Sequence, residues 1–188
     1  MIFIDPTDLP AATLARFGST EAAQSAIDAV LAAARRYCGW HVSPVMVGDE
    51  LTLDGPGTYV LDLPTGKLVA LTSIVEDGVT IDVAKVDWST YGWLRKQTRS
   101  LWSCRYRAIT VVIDHGYTEE EAPDWRKAII DMVNTVSYSA STSGDGLKRK
   151  RVDDVEYEWF DFAAAAGQAV YSVSAVLDGY KLPEVLFV

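Results

Sequence analysis

A strand, a turn and an amphipathic helix follow one another over residues 107–139, and this stretch constrains the fold of the 188-residue chain most strongly. Residues 107–114 are rich in β-branched side chains and end at a His-Gly pair, which predicts a strand closed by a turn. Pro123 suits a first helical position, and Asp124 complements the positive end of a helix dipole. Helical spacing then repeats in Trp125, Ala128, Ile129, Met132, Val133 and Val136. One face is therefore predicted to be buried, which makes residues 123–140 a scaffold helix.

Two more helices are predicted, one towards each end of the chain. The N-terminal helix begins at a Ser19 or Thr20 cap and ends at Gly39, and its packing face is mostly alanine. The C-terminal helix follows from the spacing of Val170, Val173, Leu177 and Tyr180. Because Pro183 cannot continue a helix, residues 181–188 are predicted to form an extended, apolar tail.

The middle of the chain, residues 42–114, alternates turn signals with short apolar runs. Strands are predicted at residues 51–53, 59–63 and 68–75, and Asp77-Gly78 predicts a hairpin into residues 79–81. The fold class is therefore α+β. We expect one domain over residues 1–188, in which a bundle of the N-terminal, scaffold and C-terminal helices accompanies a small antiparallel β-rich middle region.

Five aromatic residues lie close together late in the β-rich region. Two interpretations are open: a ligand platform, or packing in the core or against another subunit. Large rings bury much apolar surface, so packing is the more frequent explanation. The five residues are Trp88, Tyr91, Trp93, Trp102 and Tyr106.

The formal net charge of −9 disfavours a general affinity for nucleic-acid phosphates or for anionic membranes. No apolar run is long enough for a membrane span, and the N-terminus lacks the pattern of a signal peptide, so we expect a protein made in the cytoplasm. The two cysteines, Cys38 and Cys104, lack a metal-ligand spacing and are expected to be reduced and partly buried.

Catalytic motifs are weak in this sequence. Asp114-His115 stands at a strand end, where a small hydrolase could use it, but no nucleophile elbow accompanies it. The acidic residues between 153 and 161 lack the spacing of a calcium loop, and residues 144–148 lack the pattern of a phosphate-binding loop. We therefore predict no enzyme activity, no metal and no cofactor.

A flexible loop is predicted at residues 141–151, because Ser, Thr, Gly and Asp dominate its first part. Its end holds the main basic run of the chain: Lys148, Arg149, Lys150 and Arg151. These residues could contact passing DNA through its phosphates, or they could be solvated and pair with nearby carboxylates. Alternation then returns over residues 155–159, which predicts a strand.

Four stretches together resemble the head-tail connector, or adaptor, family of long-tailed double-stranded DNA bacteriophages. They are the helix end at 33–40, the Leu-Pro and Asp-Gly hairpin pattern within 63–78, the strand, Gly-Tyr, Pro and helix succession at 111–129, and the Leu-x-x-Tyr-x-Leu-Pro ending at 177–183. The resemblance depends on the order and spacing of these four stretches.

The resemblance implies a structural virion protein of the neck. Such a protein forms a ring, here of twelve subunits, beneath the portal protein, extends the DNA channel and receives a stopper or tail completion protein. On this interpretation the tail docks on the portal, with Tyr180, Leu182, Pro183, Val185, Leu186 and Phe187 as contact residues. The main alternative is a tail terminator or another neck protein, and a terminator should consist mainly of sheet.

Overall fold

The computed structural model describes residues 4–142, 147–152, 155–159 and 161–182, and from residue 141 to residue 159 it describes the backbone. Two compact units are present. The first, here called the helical unit, comprises Met1–Cys38 and Ala122–Gly179, and the second, the β unit, comprises Gly39–Glu121 and Tyr180–Val188. Since one functional domain can contain two such units, the single adaptor domain remains a prediction.

The described residues of the helical unit form five α-helices, and together with the antiparallel sheets they confirm the α+β class. The 19-residue α2 begins at the predicted cap, and its mostly alanine face is buried as expected. The helices are α1 (Ala11–Phe17), α2 (Thr20–Cys38), α3 (Pro123–Thr142), α4 (Phe162–Ala169) and α5 (Ser174–Leu177).

The predicted scaffold helix is α3, which packs against α1, α2 and α4. Its apolar stripe is buried as predicted, and Trp125, Ile129 and Met132 have no exposed surface. Polar contacts continue the α1–α3 packing, because Asn134 accepts hydrogen bonds from Thr13 at 2.8 Å and from Arg16 at 3.1 Å. This helix therefore unites much of the helical unit.

The sequence predicted one helix from Val170 to Tyr180, but in the structure the short α5 lies between two 3₁₀ turns, and α4 precedes them in a stretch for which no helix was predicted. Asp161 caps α4 by accepting a hydrogen bond from the backbone N–H of Ala164 at 3.1 Å. A 3₁₀ turn at Val170–Val173 then separates α4 from α5. Ser172 and Ser174 donate to backbone carbonyls three residues earlier, and such local bonds compete with regular helix.

The described residues of the β unit form two antiparallel sheets. The larger has the strand order β1-β7-β3-β4, and the smaller has the order β2-β6-β5. The strands are β1 (Met46–Leu53), β2 (Val60–Asp62), β3 (Leu68–Glu76), β4 (Val79–Ile81), β5 (Val86–Trp88), β6 (Trp93–Lys96) and β7 (Ile109–His115). The predicted hairpin at Asp77-Gly78 joins β3 to β4, with Glu76 opposite Val79.

Both sheets contribute to one hydrophobic core, in which the central strand β7 alternates between buried and half-buried residues. Of the five aromatic residues predicted to pack, Trp102 lies in this core, with the Lys96 ammonium 4.5 Å from its ring centre. Core packing is wrong for the other four, which are 41% to 88% exposed. Strand alternation explains part of this, because Leu94 of β6 points inward and its neighbour Trp93 points outward.

A separate hairpin is formed by β8 (Leu147–Val152) and β9 (Val155–Trp159). The strand predicted at 155–159 matches β9. The structure differs from the loop predicted at 141–151. Residues 141 and 142 complete α3, and residues 147–151 belong to β8, which pairs with β9. Residues 143–146 lie outside the described residues.

Cys38 is fully buried and Cys104 is exposed, so neither thiol is partly buried as predicted. Within the described part of the chain, no helix combines the length and the apolarity that crossing a membrane requires. The described residues also include no group of three or more His, Cys, Asp or Glu side chains that could hold a metal ion.

Candidate functional site

Aromatic side chains of the β unit converge at Tyr180, where the C-terminal segment begins. The Trp40 indole N–H donates to the Tyr180 carbonyl at 2.6 Å. Tyr117 contacts both residues edge to face, with ring centres 5.9 Å from Trp40 and 5.6 Å from Tyr180. We call Trp40, Tyr117, Tyr180 and Leu182 the anchor site, because the contacts among them hold Tyr180 in the β unit.

Two glycines allow the backbone to approach the anchor site closely. At Gly66, a Cβ atom would lie 2.9 Å from the Trp40 ring, so a larger residue would displace the indole. Gly116 has φ +107°, a conformation that other residues rarely adopt, and it immediately precedes Tyr117. Leu182 completes the site beside Gly39: a Cβ atom added to Gly39 would lie 3.9 Å from the Cδ1 atom of Leu182.

His115 lies next to the anchor site and is almost fully buried, with 3% of its surface exposed. Its Nε2 is 3.1 Å from the Asp49 carboxylate, while its Nδ1 has no hydrogen-bond partner. His41 lies nearby, with ring centres 5.8 Å apart, and its Nε2 donates to the Pro44 carbonyl at 2.5 Å. His41 therefore contacts the backbone, whereas His115 contacts a carboxylate side chain.

The Asp114–His115 dyad of the hydrolase hypothesis does not form. Neighbouring residues of a strand point to opposite faces, and His115 is buried while Asp114 accepts a hydrogen bond from the Gly48 backbone N–H at 2.8 Å. The imidazole instead faces Asp49. The geometry on which the hydrolase alternative depended is therefore absent.

Charge is placed at the rim of the anchor site by Lys67. Its ammonium is 2.7 Å from the Glu121 carboxylate and 5.3 Å from the ring centre of Tyr117. The hydrogen bond from Lys67, and then that from the Thr118 backbone N–H, hold the pKa of Glu121 below its ordinary value. The ion pair is partly exposed, so it positions these groups more than it stabilises the fold.

Replacing Lys67 by Met should raise the pKa of Glu121, because the main group that favours its charged form is removed. In the wild-type protein the interaction is present above the ordinary glutamate pKa and is lost as the pH falls through the lowered value. An NMR pH titration of the glutamate side-chain carboxyls measures the change. Lys85→Met is the control, because this exposed lysine should leave the Glu121 titration unchanged. An unshifted titration in Lys67→Met would contradict the assignment.

The fold has a neighbour among solved structures. A chain described as "Neck of empty GTA particle computed with C6 symmetry" superposes with a TM-score of 0.53 over 90% of this chain and 82% of that chain. The two sequences are 13% identical. At this identity the likeness concerns the fold alone.

Sequence comparison adds little. No protein-family model matches this chain. A curated relative, the protein pelota homolog of Pyrococcus furiosus, is 31% identical over 114 residues, which make up 60% of this chain. Those residues span 30% of the relative, so the chain corresponds to less than a third of that protein.

The predicted site residues divide into three groups. Tyr180 and Leu182 are half-buried in the anchor site. The remaining predicted portal contacts lie outside the described residues: Pro183, Val185, Leu186 and Phe187. The basic run occupies β8, which belongs to the helical unit: Lys148, Arg149, Lys150 and Arg151.

Sequence reasoning missed Trp40 and Tyr117 as partners of the C-terminal segment. Trp40 and Tyr180 are 140 residues apart, and no local pattern connects them. The one available signal was the concentration of large aromatic side chains next to glycines, in Gly39-Trp40 and Gly116-Tyr117. Such pairs are compatible with many packing arrangements, so the signal does not identify the contact.

Proposed function

We propose that this chain is a structural protein of the neck of a phage-like particle, where it forms a ring between the portal and the tail. The observation that carries the proposal is the similarity of its fold, over 90% of the chain, to a chain from the neck of a GTA particle. The sequence motifs that resemble the adaptor family support the same conclusion. As a neck component the protein would belong to the virion after synthesis in the host.

A ring is supported by the C6 symmetry with which the neighbouring neck was computed. Six-fold symmetry is compatible with twelve subunits as well as with six, so twelve remains our prediction. Within the ring we assign the helices to a bundle that braces the subunits. The net charge of −9 would keep DNA from adhering as it passes through the channel, because counterion release requires positive charge.

The adaptor is favoured over the tail terminator by helix content. A terminator should be mainly sheet, whereas α2 and α3 contain 19 and 20 residues. The portal on one side and a stopper or tail completion protein on the other are therefore the partners we propose. DNA contact by Lys148 to Arg151 remains a prediction from the sequence.

The anchor site gives the C-terminal tail a defined starting point. Tyr180 and Leu182 are held within the β unit, so they would contact the portal through the surfaces they leave exposed. The apolar residues beyond them would make the main contact: Val185, Leu186 and Phe187. An extended segment of this kind can add a strand to the edge of a sheet in its partner.

Light scattering behind a sizing column tests the ring, with the protein alone and mixed with purified portal rings. We expect a stoichiometric complex with the portal. Failure to join the portal under every condition in which both proteins are folded would contradict the proposed function. Binding to tail components in place of the portal would favour the terminator.

Deleting Lys181 to Val188 should abolish portal attachment and leave the circular dichroism spectrum unchanged. This deletion also removes Leu182 from the anchor site. A finer variant replaces Val185, Leu186 and Phe187 by Ser and preserves the anchor site. Its matched control is Glu184→Gln, which keeps the apolar residues and should still attach. Normal assembly of the triple-serine variant would exclude the tail as the portal contact.

A further inference from the structure

The β8–β9 hairpin has two open edges. Each strand pairs with the other on one side, in the registers Lys150 opposite Tyr157 and Arg151 opposite Glu156. Among the described elements, β8 and β9 make extensive contacts only with each other. A two-stranded hairpin is marginally stable by itself in water, and an open edge is a template for a further strand. The hairpin therefore calls for a partner that supplies strands.

Charge is segregated between the two strands. All four charged residues of β8 are basic: Lys148, Arg149, Lys150 and Arg151. Both charged residues of β9 are acidic: Glu156 and Glu158. One edge of the hairpin therefore belongs to a positive strand, and the opposite edge belongs to a negative strand.

This segregation selects among the ways in which two copies could pair. Two β8 edges would bring like charges together, as would two β9 edges, and like charges on adjacent strands are destabilising. A β8 edge against a β9 edge brings opposite charges together. The isologous two-fold contact is thus disfavoured, and the head-to-tail contact, which closes into a ring when the rotation allows, is favoured.

The geometry points to a contact in which β8 of one copy pairs with β9 of the next copy, so that the hairpins of neighbouring subunits form a continuous sheet. This inference depends on the ring of the proposed function. A rotation about an axis along the strands preserves strand direction, so β9 and the neighbouring β8 would run antiparallel, as β8 and β9 do within one hairpin. The hairpin's partner is therefore a second copy of this chain.

The contact also changes the role expected for the basic run. Within a hairpin Arg151 is opposite Glu156, and in the proposed sheet a second β9 would lie on the other side of β8. Carboxylates would then flank the basic strand on both sides. Because an acidic strand on each side would offset its positive charge, we favour assembly over DNA binding for these residues.

Two charge-reversed variants test the contact. The all-basic variant carries Glu156→Lys and Glu158→Lys, and the all-acidic variant carries glutamate at all four positions 148–151. Each alone would bring like charges together at every contact, so we expect its association to be roughly tenfold weaker or more. An equimolar mixture should assemble better than either variant alone, because unlike edges then meet between neighbouring subunits, while like charges remain within each hairpin.

Control measurements separate charge from fold. Glu50→Lys with Glu120→Lys changes the net charge as the all-basic variant does, at exposed positions of the β unit, and should assemble normally. Circular dichroism verifies that each variant is folded. For the wild type, association should weaken as the ionic strength rises to about 1 M, where the screening length is only about 3 Å. Assembly is measured by sedimentation, both for the free protein and on portal rings.

Several outcomes would overturn the inference: wild-type assembly by either reversed variant alone, a mixture no better than its components, or a wild type that assembles neither free nor on the portal. Loss of duplex DNA retention by the all-acidic variant, with normal assembly, would assign the basic strand to DNA instead. If the chain joins the portal but the variants do too, the proposed function holds and this inference fails. If the mixture assembles but neither the wild type nor the variants bind the portal, this inference holds and the proposed function fails.

Discussion

Replacing Trp40 by Ala should lower the free energy of unfolding of the β unit by about 3 to 5 kcal/mol, as is usual for a buried tryptophan. The indole is 6% exposed, contacts Tyr117 edge to face and donates to the Tyr180 carbonyl. The substitution therefore removes both the packing and the hydrogen bond that hold the C-terminal segment. Urea unfolding measured by fluorescence gives the stability.

Trypsin provides a second readout, because Lys181 follows Tyr180 directly. In Trp40→Ala, trypsin should cut the bond after Lys181 faster than it does in the wild type, relative to other sites in the same digest. Mass spectrometry follows the cleavage. Trp40→Phe should retain most of the packing and lose the hydrogen bond, at a cost of about 0.5 to 1.5 kcal/mol.

The matched control for Trp40 is Trp93→Ala, which truncates a tryptophan that is 54% exposed. We expect it to cost less than about 2 kcal/mol, because less apolar surface is lost from the folded state, and to leave cleavage at Lys181 unchanged. A Trp40→Ala protein as stable and as resistant to trypsin as the wild type would refute the anchor site.

Replacing Trp125 by Ala should destabilise the helical unit by a similar amount, about 3 to 5 kcal/mol. Trp125 begins the buried stripe of α3 and has no exposed surface, so its removal leaves a cavity that neighbouring helices can fill only in part. Thermal unfolding followed by circular dichroism in the helical band measures the loss.

Thr135→Ala is the control on the same helix. Thr135 is exposed and donates to the Asp131 carbonyl at 3.0 Å, so its replacement should change stability by no more than about 0.5 kcal/mol. A Trp125→Ala protein whose unfolding temperature matches that of Thr135→Ala would show that α3 does not act as the scaffold of this unit.

These experiments address parts of the chain that differ in how far the sequence predicted them. The helices α2 and α3 and the strand β9 agree closely with prediction, and the Asp77-Gly78 hairpin forms as expected. Strong apolar periodicity, caps and a specific turn pair are local signals, so they predict these elements without information about tertiary contacts. The broken C-terminal helix and the strand β8 had weaker local signals and were missed.

Sequence by itself therefore determined the type and position of the strongly periodic elements, the acidic balance and the segregation of charge between residues 148–151 and 156–158. Tertiary structure alone decided which aromatic residues are buried, that His115 faces Asp49 and not Asp114, and that Trp40 holds Tyr180. The physical reason is the range of the interactions. Helix and strand patterns arise between near neighbours, whereas the anchor site joins residues 140 positions apart, whose contact depends on the packing of the whole unit.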